Sequence, residues 1–158
     1  MKKLRKLLIA FLPILCIAFV MSCSSDDDDD EMISQEGKNF KFTVTANNVG
    51  EQDYLSFVFV GSDMQQSTTI WKINGVTQNN ETGVSLGKND FMGTIKTYVI
   101  ESTRPLRLVT SGIQCINPGA NNPSFTVSYK AEVDGTVVRN DQNVVVGPGS
   151  DYSHNFTF

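Results

Sequence analysis

Two stretches of strict alternation constrain what this chain can fold into more than anything else in it. Phe40, Phe42, Val44 and Ala46 alternate with Lys41, Thr43 and Thr45, and Phe125, Val127, Tyr129, Ala131 and Val133 alternate with Thr126, Ser128, Lys130 and Glu132. In an extended backbone every second side chain shares a face, so each stretch reads as a strand with one buried and one wet side. Residues 55–60 are apolar on both sides and read as a central strand. Further extended segments are expected at residues 70–73, 94–101, 106–110, 136–139, 144–146 and 152–158. Beyond Glu36 no segment sustains helical periodicity.

Turn chemistry connects these strands in antiparallel fashion. Asn74-Gly75 and Asp134-Gly135 each separate two strand-like runs. Such pairs accept the positive φ angles of a two-residue type I′ hairpin. Gly147-Pro148-Gly149-Ser150 cannot continue a strand and marks another reversal. Residues 78–82 and 117–123 are polar and rich in Asn, Gly or Pro, and read as exposed loops. Closely spaced short strands without a long helix predict an all-β fold, a single antiparallel β-sandwich over residues 39–158.

Composition removes several function classes. Of three cysteines, Cys16 and Cys23 fall in the first 23 residues, leaving Cys115 alone in the domain. An internal disulfide or a Cys/His metal cluster is therefore excluded there. Cys115 alternates in phase with Ile113 and is expected to pack as a small buried hydrophobe. Beyond Glu36, nine basic residues face ten acidic ones. That near-neutral balance lacks the electrostatic footprint of a nucleic-acid binder.

His154 is the single histidine. It has no surrounding nucleophile signature such as GxSxG and shares a side with Tyr152, Phe156 and Phe158, which points to packing rather than base catalysis. Among the domain's acidic residues, Asp53, Asp63, Glu81, Asp90, Glu101, Glu132, Asp134, Asp141 and Asp151 show no spacing motif. No catalytic residue, metal ligand or cofactor is assigned, and a non-enzymatic role is expected. Calcium needs only loop oxygens, but no Asp-x-Asp-x-Asp run occurs. Trp71, Tyr54, Tyr98, Tyr129 and Tyr152 are the aromatics from which a sugar-stacking platform could be drawn, with Trp71 and Tyr98 as its candidates. For Trp71, between Ile70 and Ile73, core packing is the expected role.

The amino terminus carries an address. Lys2, Lys3, Arg5 and Lys6 precede an apolar run from Leu7 to Val20 interrupted by Pro13. That is the layout of a signal peptide, and the run is shorter than the roughly 20 residues a spanning helix needs. Val20-Met21-Ser22-Cys23 resembles the bacterial lipobox. The resemblance implies cleavage after residue 22 and a lipid on Cys23. Ser24, Ser25, Asp26, Asp27, Asp28, Asp29 and Asp30 follow. An acidic run placed so resembles the export signal of Bacteroidota surface lipoproteins, and implies display on the extracellular side of the outer membrane, with the periplasmic face as the alternative. Losing residues 1–22 would lower the basic count from 13 to 9 against 17 acidic residues, a net of about −8. Residues 23–38 hold almost nothing apolar and are expected to form a disordered tether.

A second resemblance is confined to Thr69-Ile70-Trp71-Lys72-Ile73-Asn74-Gly75. It looks like the Trp-bearing third strand of immunoglobulin-like sandwiches, though no disulfide pair accompanies it. The expected protein is thus a lipid-anchored, non-catalytic binding or accessory module of the cell envelope. Its partners would be the membrane, through Cys23, and either a glycan or an envelope protein. The alternative is a structural or protein-interaction subunit that pairs through a strand edge, with residues 152–158 as that edge. Oligomeric state is not legible in the sequence.

Overall fold

The computed structural model describes residues 36–158, which form two antiparallel sheets packed face to face. The expected signal peptide, the lipidation site Cys23 and the acidic run from Ser24 to Asp30 lie outside the described residues. Ten strands follow in order: β1 (Phe40–Asn47), β2 (Tyr54–Ser62), β3 (Trp71–Ile73), β4 (Val76–Gln78), β5 (Gly83–Gly87), β6 (Thr97–Ser102), β7 (Leu108–Ile116), β8 (Phe125–Val133), β9 (Thr136–Val146) and β10 (Asp151–Thr157). One sheet has six strands in the order β4-β3-β6-β1-β8-β9, and the other has four in the order β10-β7-β2-β5.

The alternating stretches form the middle of the larger sheet. Phe40, Phe42, Val44 and Ala46 of β1 and Phe125, Val127, Tyr129 and Ala131 of β8 all point into the core, while the intervening residues stay outside. Across the gap, Leu55, Phe57 and Phe59 of β2 and Val109, Ile113 and Cys115 of β7 complete the core. A buried hydrogen bond of 2.7 Å between Ser111 Oγ and the Tyr129 hydroxyl ties the two sheets together. Left unpaired, either hydroxyl would be a buried polar group without a partner.

Both expected hairpins form. Asn74 and Gly75 adopt φ of 49° and 81° between β3 and β4, and Asp134 and Gly135 adopt 48° and 79° between β8 and β9. Gly149, at φ 71°, serves a different purpose. β9 is an edge of the larger sheet and β10 an edge of the smaller, so the turn at residues 147–150 carries the chain between sheets instead of forming a hairpin.

Other expectations change in detail. Residues 136–139 and 144–146 belong to one strand, β9, whose pairing with β8 shifts register twice. β2 is an interior strand, yet Val58 and Val60 stand on its outer face, 37% and 45% exposed. Lys38, assigned to the tether from its surroundings, exchanges two 2.8 Å backbone hydrogen bonds with Leu106, so the folded unit reaches back at least that far. Asn117, expected on an exposed loop, is fully buried. A five-residue helix, α1 (Lys88–Met92), closes one end of the core with Phe91, whose ring lies 5.5 Å from Phe57 and 5.2 Å from Tyr98. One turn of helix leaves no periodic trace in a sequence.

Candidate functional site

The outer faces of the two sheets differ in chemistry. On the six-stranded sheet, pairing lines up Lys72, Glu101, Lys41 and Glu132 on neighbouring strands. Ion pairs join Lys41 to Glu101 at 3.6 Å and Lys130 to Glu132 at 2.9 Å. Such a face is charged, with opposite signs set side by side. The four-stranded sheet carries a groove of about 770 Å³ whose lining holds no Lys, Arg, Asp or Glu.

Register lays three rows across β5, β2, β7 and β10, and the β2, β7 and β10 positions of those rows line the groove. The first is Gly87, Ser56, Gln114 and Ser153; the second Ser85, Val58, Gly112 and Asn155; the third Gly83, Val60, Thr110 and Thr157. Each row sets hydroxyl or amide groups beside small or aliphatic ones. Gly112 stands in the middle and keeps the floor low, since a Cβ there would lie 3.2 Å from Asn155 Oδ1. One step beyond the first row, Tyr54 pairs with Ile116 and Ile116 with Asp151. Tyr54 is 49% exposed, so its ring is an accessible aromatic face at the end of the ladder. Neutral donors and acceptors over an apolar floor suit an uncharged, hydroxyl-bearing ligand, and the groove lining itself gives an ionic one no counter-charge, the nearest carboxylate in the register being Asp151 at the Tyr54 end.

The platform candidates fall elsewhere. Trp71 has no exposed surface, its indole N–H donates to the Thr82 carbonyl at 3.0 Å, and its ring packs 6.4 Å from Phe42. Buried and bonded, it presents no face to a sugar: the core packing expected of it is what forms, and its candidacy for the platform falls. Tyr98 is half-buried on β6, donates its hydroxyl to the Asp90 carbonyl at 3.0 Å and meets Phe91 edge to face. Burial, with the Asp90 charge beside it, raises its pKa. Trp71 and Tyr98 sit on the larger sheet, and the structure does not bring them to the groove. Tyr54, which heads the ladder, starts a strand whose outward valines hide the period-two signal.

At the open side of the sandwich, β9 reaches across to β10. Asp141 Oδ2 accepts the Tyr152 hydroxyl at 2.6 Å and Arg139 Nε at 2.7 Å, and the Arg139 guanidinium lies 5.3 Å from the Phe156 ring centroid. Burial opposes ionisation of Asp141, but the bonds from Tyr152 and Arg139 prevail and its pKa is lowered. His154 stands between Tyr152 and Phe156, ring centroids 4.6 and 5.7 Å away. Cys115 is fully buried, and burial pushes its thiol up to about 12.

No family model matches this chain, and no curated protein does. Its fold is shared with solved domains from Bacteroides and Parabacteroides. A DUF4425 family protein from Bacteroides ovatus ATCC 8483 has a TM-score of 0.55 at 14% identity, covering 77% of this chain and 94% of its own. The calcium-bound form of a protein from Parabacteroides distasonis has a TM-score of 0.57 at 16% identity, covering 83% and 98%. A DUF4425 domain from Bacteroides vulgatus ATCC 8482 has a TM-score of 0.54 at 12% identity, covering 78% and 94%. At such identities the likeness concerns the fold alone.

Proposed function

We propose that this chain is a non-catalytic binding module of the cell envelope, anchored by lipid on Cys23, displayed outward on the outer membrane, and binding a neutral glycan on its four-stranded face. The observation that supports the glycan is the charge-free ladder of Ser56, Gln114, Ser153, Asn155, Thr110 and Thr157 around Gly112, with Tyr54 exposed at its end. Sugar hydroxyls exchange hydrogen bonds with such groups, and an aromatic face covers the apolar side of a ring. Strand addition at β10 is less favoured, since Asp141 and Arg139 of β9 already engage Tyr152 and Phe156 of that edge.

The test is a screen of neutral oligosaccharides against the full chain, followed by titration of any hit. Gly112→Val, which fills the groove floor, and Tyr54→Ala are each expected to weaken binding by more than about tenfold, equivalent to ~1.4 kcal/mol. Binding confined to charged glycans, or undiminished by both substitutions, would rule out this face.

Display has a separate test. Replacing Asp26 to Asp30 with Ala is expected to leave the lipid in place while the protein passes from protease-accessible to protected on whole cells. Cys23→Ser is expected to release it from the membrane altogether, because durable anchoring takes more than one acyl chain and a lipidated Cys of this type carries at least two. Continued surface accessibility of the alanine variant would remove the acidic run from the export pathway.

A second reading, cation binding, is favoured by one feature. Asp53 is only 5% exposed, and no Lys or Arg among the described residues pairs with it. The similar fold from Parabacteroides distasonis was solved in a calcium-bound form. Calcium would complement a buried carboxylate of this kind.

A further inference from the structure

We propose that the end of the sandwich where the β1–β2 and β7–β8 connections meet is a calcium site, built on the Asp53 carboxylate and the amide oxygens of Asn117 and Asn122. It rests on the cation-binding reading and gives that reading a location.

The carboxylate comes first. Asp53 Oδ2 accepts the Gly50 N–H at 2.7 Å and Oδ1 accepts Asn122 Nδ2 at 2.6 Å. Two neutral donors hold a buried anion that has no cation beside it, and burying a charge without a counter-charge is costly.

Asn117 supplies an independent observation. Tyr54 of β2 pairs with Ile116 of β7, so Asp53 and Asn117 occupy the adjoining positions of neighbouring strands. Both continue the alternation that buries Leu55 and Cys115, which directs both side chains inward. Asn117 is fully buried, and its Nδ2 donates to the Pro123 carbonyl at 3.0 Å and the Val146 carbonyl at 3.4 Å. Two carbonyl acceptors fix which end of the amide is nitrogen. Asn117 Oδ1 is thereby left buried with no hydrogen-bond partner. An orphaned oxygen and a carboxylate without a cationic partner, at adjoining register positions, are what a hard cation would satisfy.

The two loops come within contact distance of one another. A Cβ on Gly50 would lie 3.5 Å from Asp53 Oδ2, and one on Gly119 would lie 3.2 Å from Asn122 Cβ and 3.6 Å from Gln52 Oε1. With a cation present, Asn122 turns its amide to present oxygen where nitrogen now meets Asp53. Calcium accepts six to eight oxygens in flexible geometry, whereas magnesium demands a near-ideal octahedron, so irregular loops select the larger ion. Among the described residues no three acidic, His or Cys side chains converge. A single carboxylate therefore places the site in the weak class, with a Kd on the order of 10⁻⁴ to 10⁻³ M, as in extracellular modules.

Thermal unfolding of the full chain in nonionic detergent, with CaCl2 or MgCl2 against EDTA, tests this. The same measurement on a chain with Asp26 to Asp30 replaced by Ala separates ions held by the acidic run from ions held by the domain. A folded site with a millimolar Kd is expected to raise Tm on the order of 5 °C at tenfold excess calcium, and by clearly less with magnesium. Asp53→Asn should abolish the shift. Asn122→Asp, placing two carboxylates together, should lower Tm in EDTA and show a larger calcium shift than the parent, whereas a merely structural Asn122 predicts a loss that calcium does not restore. No calcium shift in the parent overturns the cation reading itself. A shift that persists in Asp53→Asn, or that Asn122→Asp fails to enlarge, overturns this location while leaving cation binding standing.

Discussion

Phe42→Ala is expected to cost about 3–5 kcal/mol of folding free energy, a large part of the ~5–15 kcal/mol a domain of this kind possesses. Phe42 has no exposed surface and lies where both sheets and the terminal segment converge. Its ring centroid is 4.7 Å from Phe59, 5.7 Å from Phe158, 6.2 Å from Tyr129, 6.3 Å from Phe40 and 6.4 Å from Trp71. Truncation removes the transfer free energy of a phenyl group and leaves a cavity walled by rings that cannot collapse without leaving their rotamers. Trp71 is the single tryptophan and touches the deleted ring, so its emission reports the transition directly. Urea unfolding followed by that emission and by far-ultraviolet circular dichroism should show a lower midpoint with an unchanged slope. Phe42→Leu, which keeps most of the volume, should recover much of the loss. A penalty below about 1 kcal/mol for the alanine variant would mean that the sheets do not pack at Phe42.

The strands that carry this core were the ones legible in the sequence, and the reason is physical. β1 and β8 lie inside the larger sheet with one polar outer face, so their alternation is complete. The Asn74-Gly75 and Asp134-Gly135 turns were legible because positive φ at both central positions admits few residue types. β4 and β5 were not, since a three-residue strand with no buried position and a Gly-bounded pentapeptide hold too few buried positions to show a period. β9 read as two strands because its register shifts interrupt the alternation in the middle.

Neither candidate binding feature was legible, for a different reason. The groove is an outer face, where Ser, Thr, Asn and Gln are what any solvated strand carries. Only the pairing of β2, β7 and β10 shows that these residues form continuous rows free of charge. For Trp71 the flanking Ile70 and Ile73 already pointed to the core, but its burial also depends on Gly61, where a Cβ would lie 2.9 Å from Trp71 Cζ2, and that approach is not visible in the sequence. Asp53 and Asn117 are 64 positions apart and become neighbours only through the β2–β7 register.

Alkaline pH is expected to unfold this domain between about pH 10 and 12, driven by acids buried in neutral form. Burial pushes the Cys115 thiol from its ordinary value near 9.0 up to about 12. It pushes the Tyr129 phenol from 10.0 up to about 12, against a smaller opposing effect of the Ser111 bond. Tyr152 is raised as well, by burial and then by its bond to Asp141. Below pH 9 both folded and unfolded chains keep these protons, so stability does not depend on them. Above that, the unfolded thiol and then the unfolded phenols ionise while the folded groups stay protonated. The unfolded state thus binds fewer protons, and stability falls as pH rises until the folded values are reached. At 1.36 kcal/mol per pKa unit, the loss by pH 12 is of the order of 4 kcal/mol from Cys115 and 3 kcal/mol from Tyr129. Together these approach the whole stability of a small domain. Urea midpoints measured from pH 7 to 11 should be flat up to about 9 and decline beyond it. Cys115→Ala, although less stable at neutral pH because of its cavity, should decline with a shallower slope, by close to one proton. Equal slopes in the two proteins would show that the Cys115 thiol ionises as readily folded as unfolded, which is incompatible with its place between the sheets.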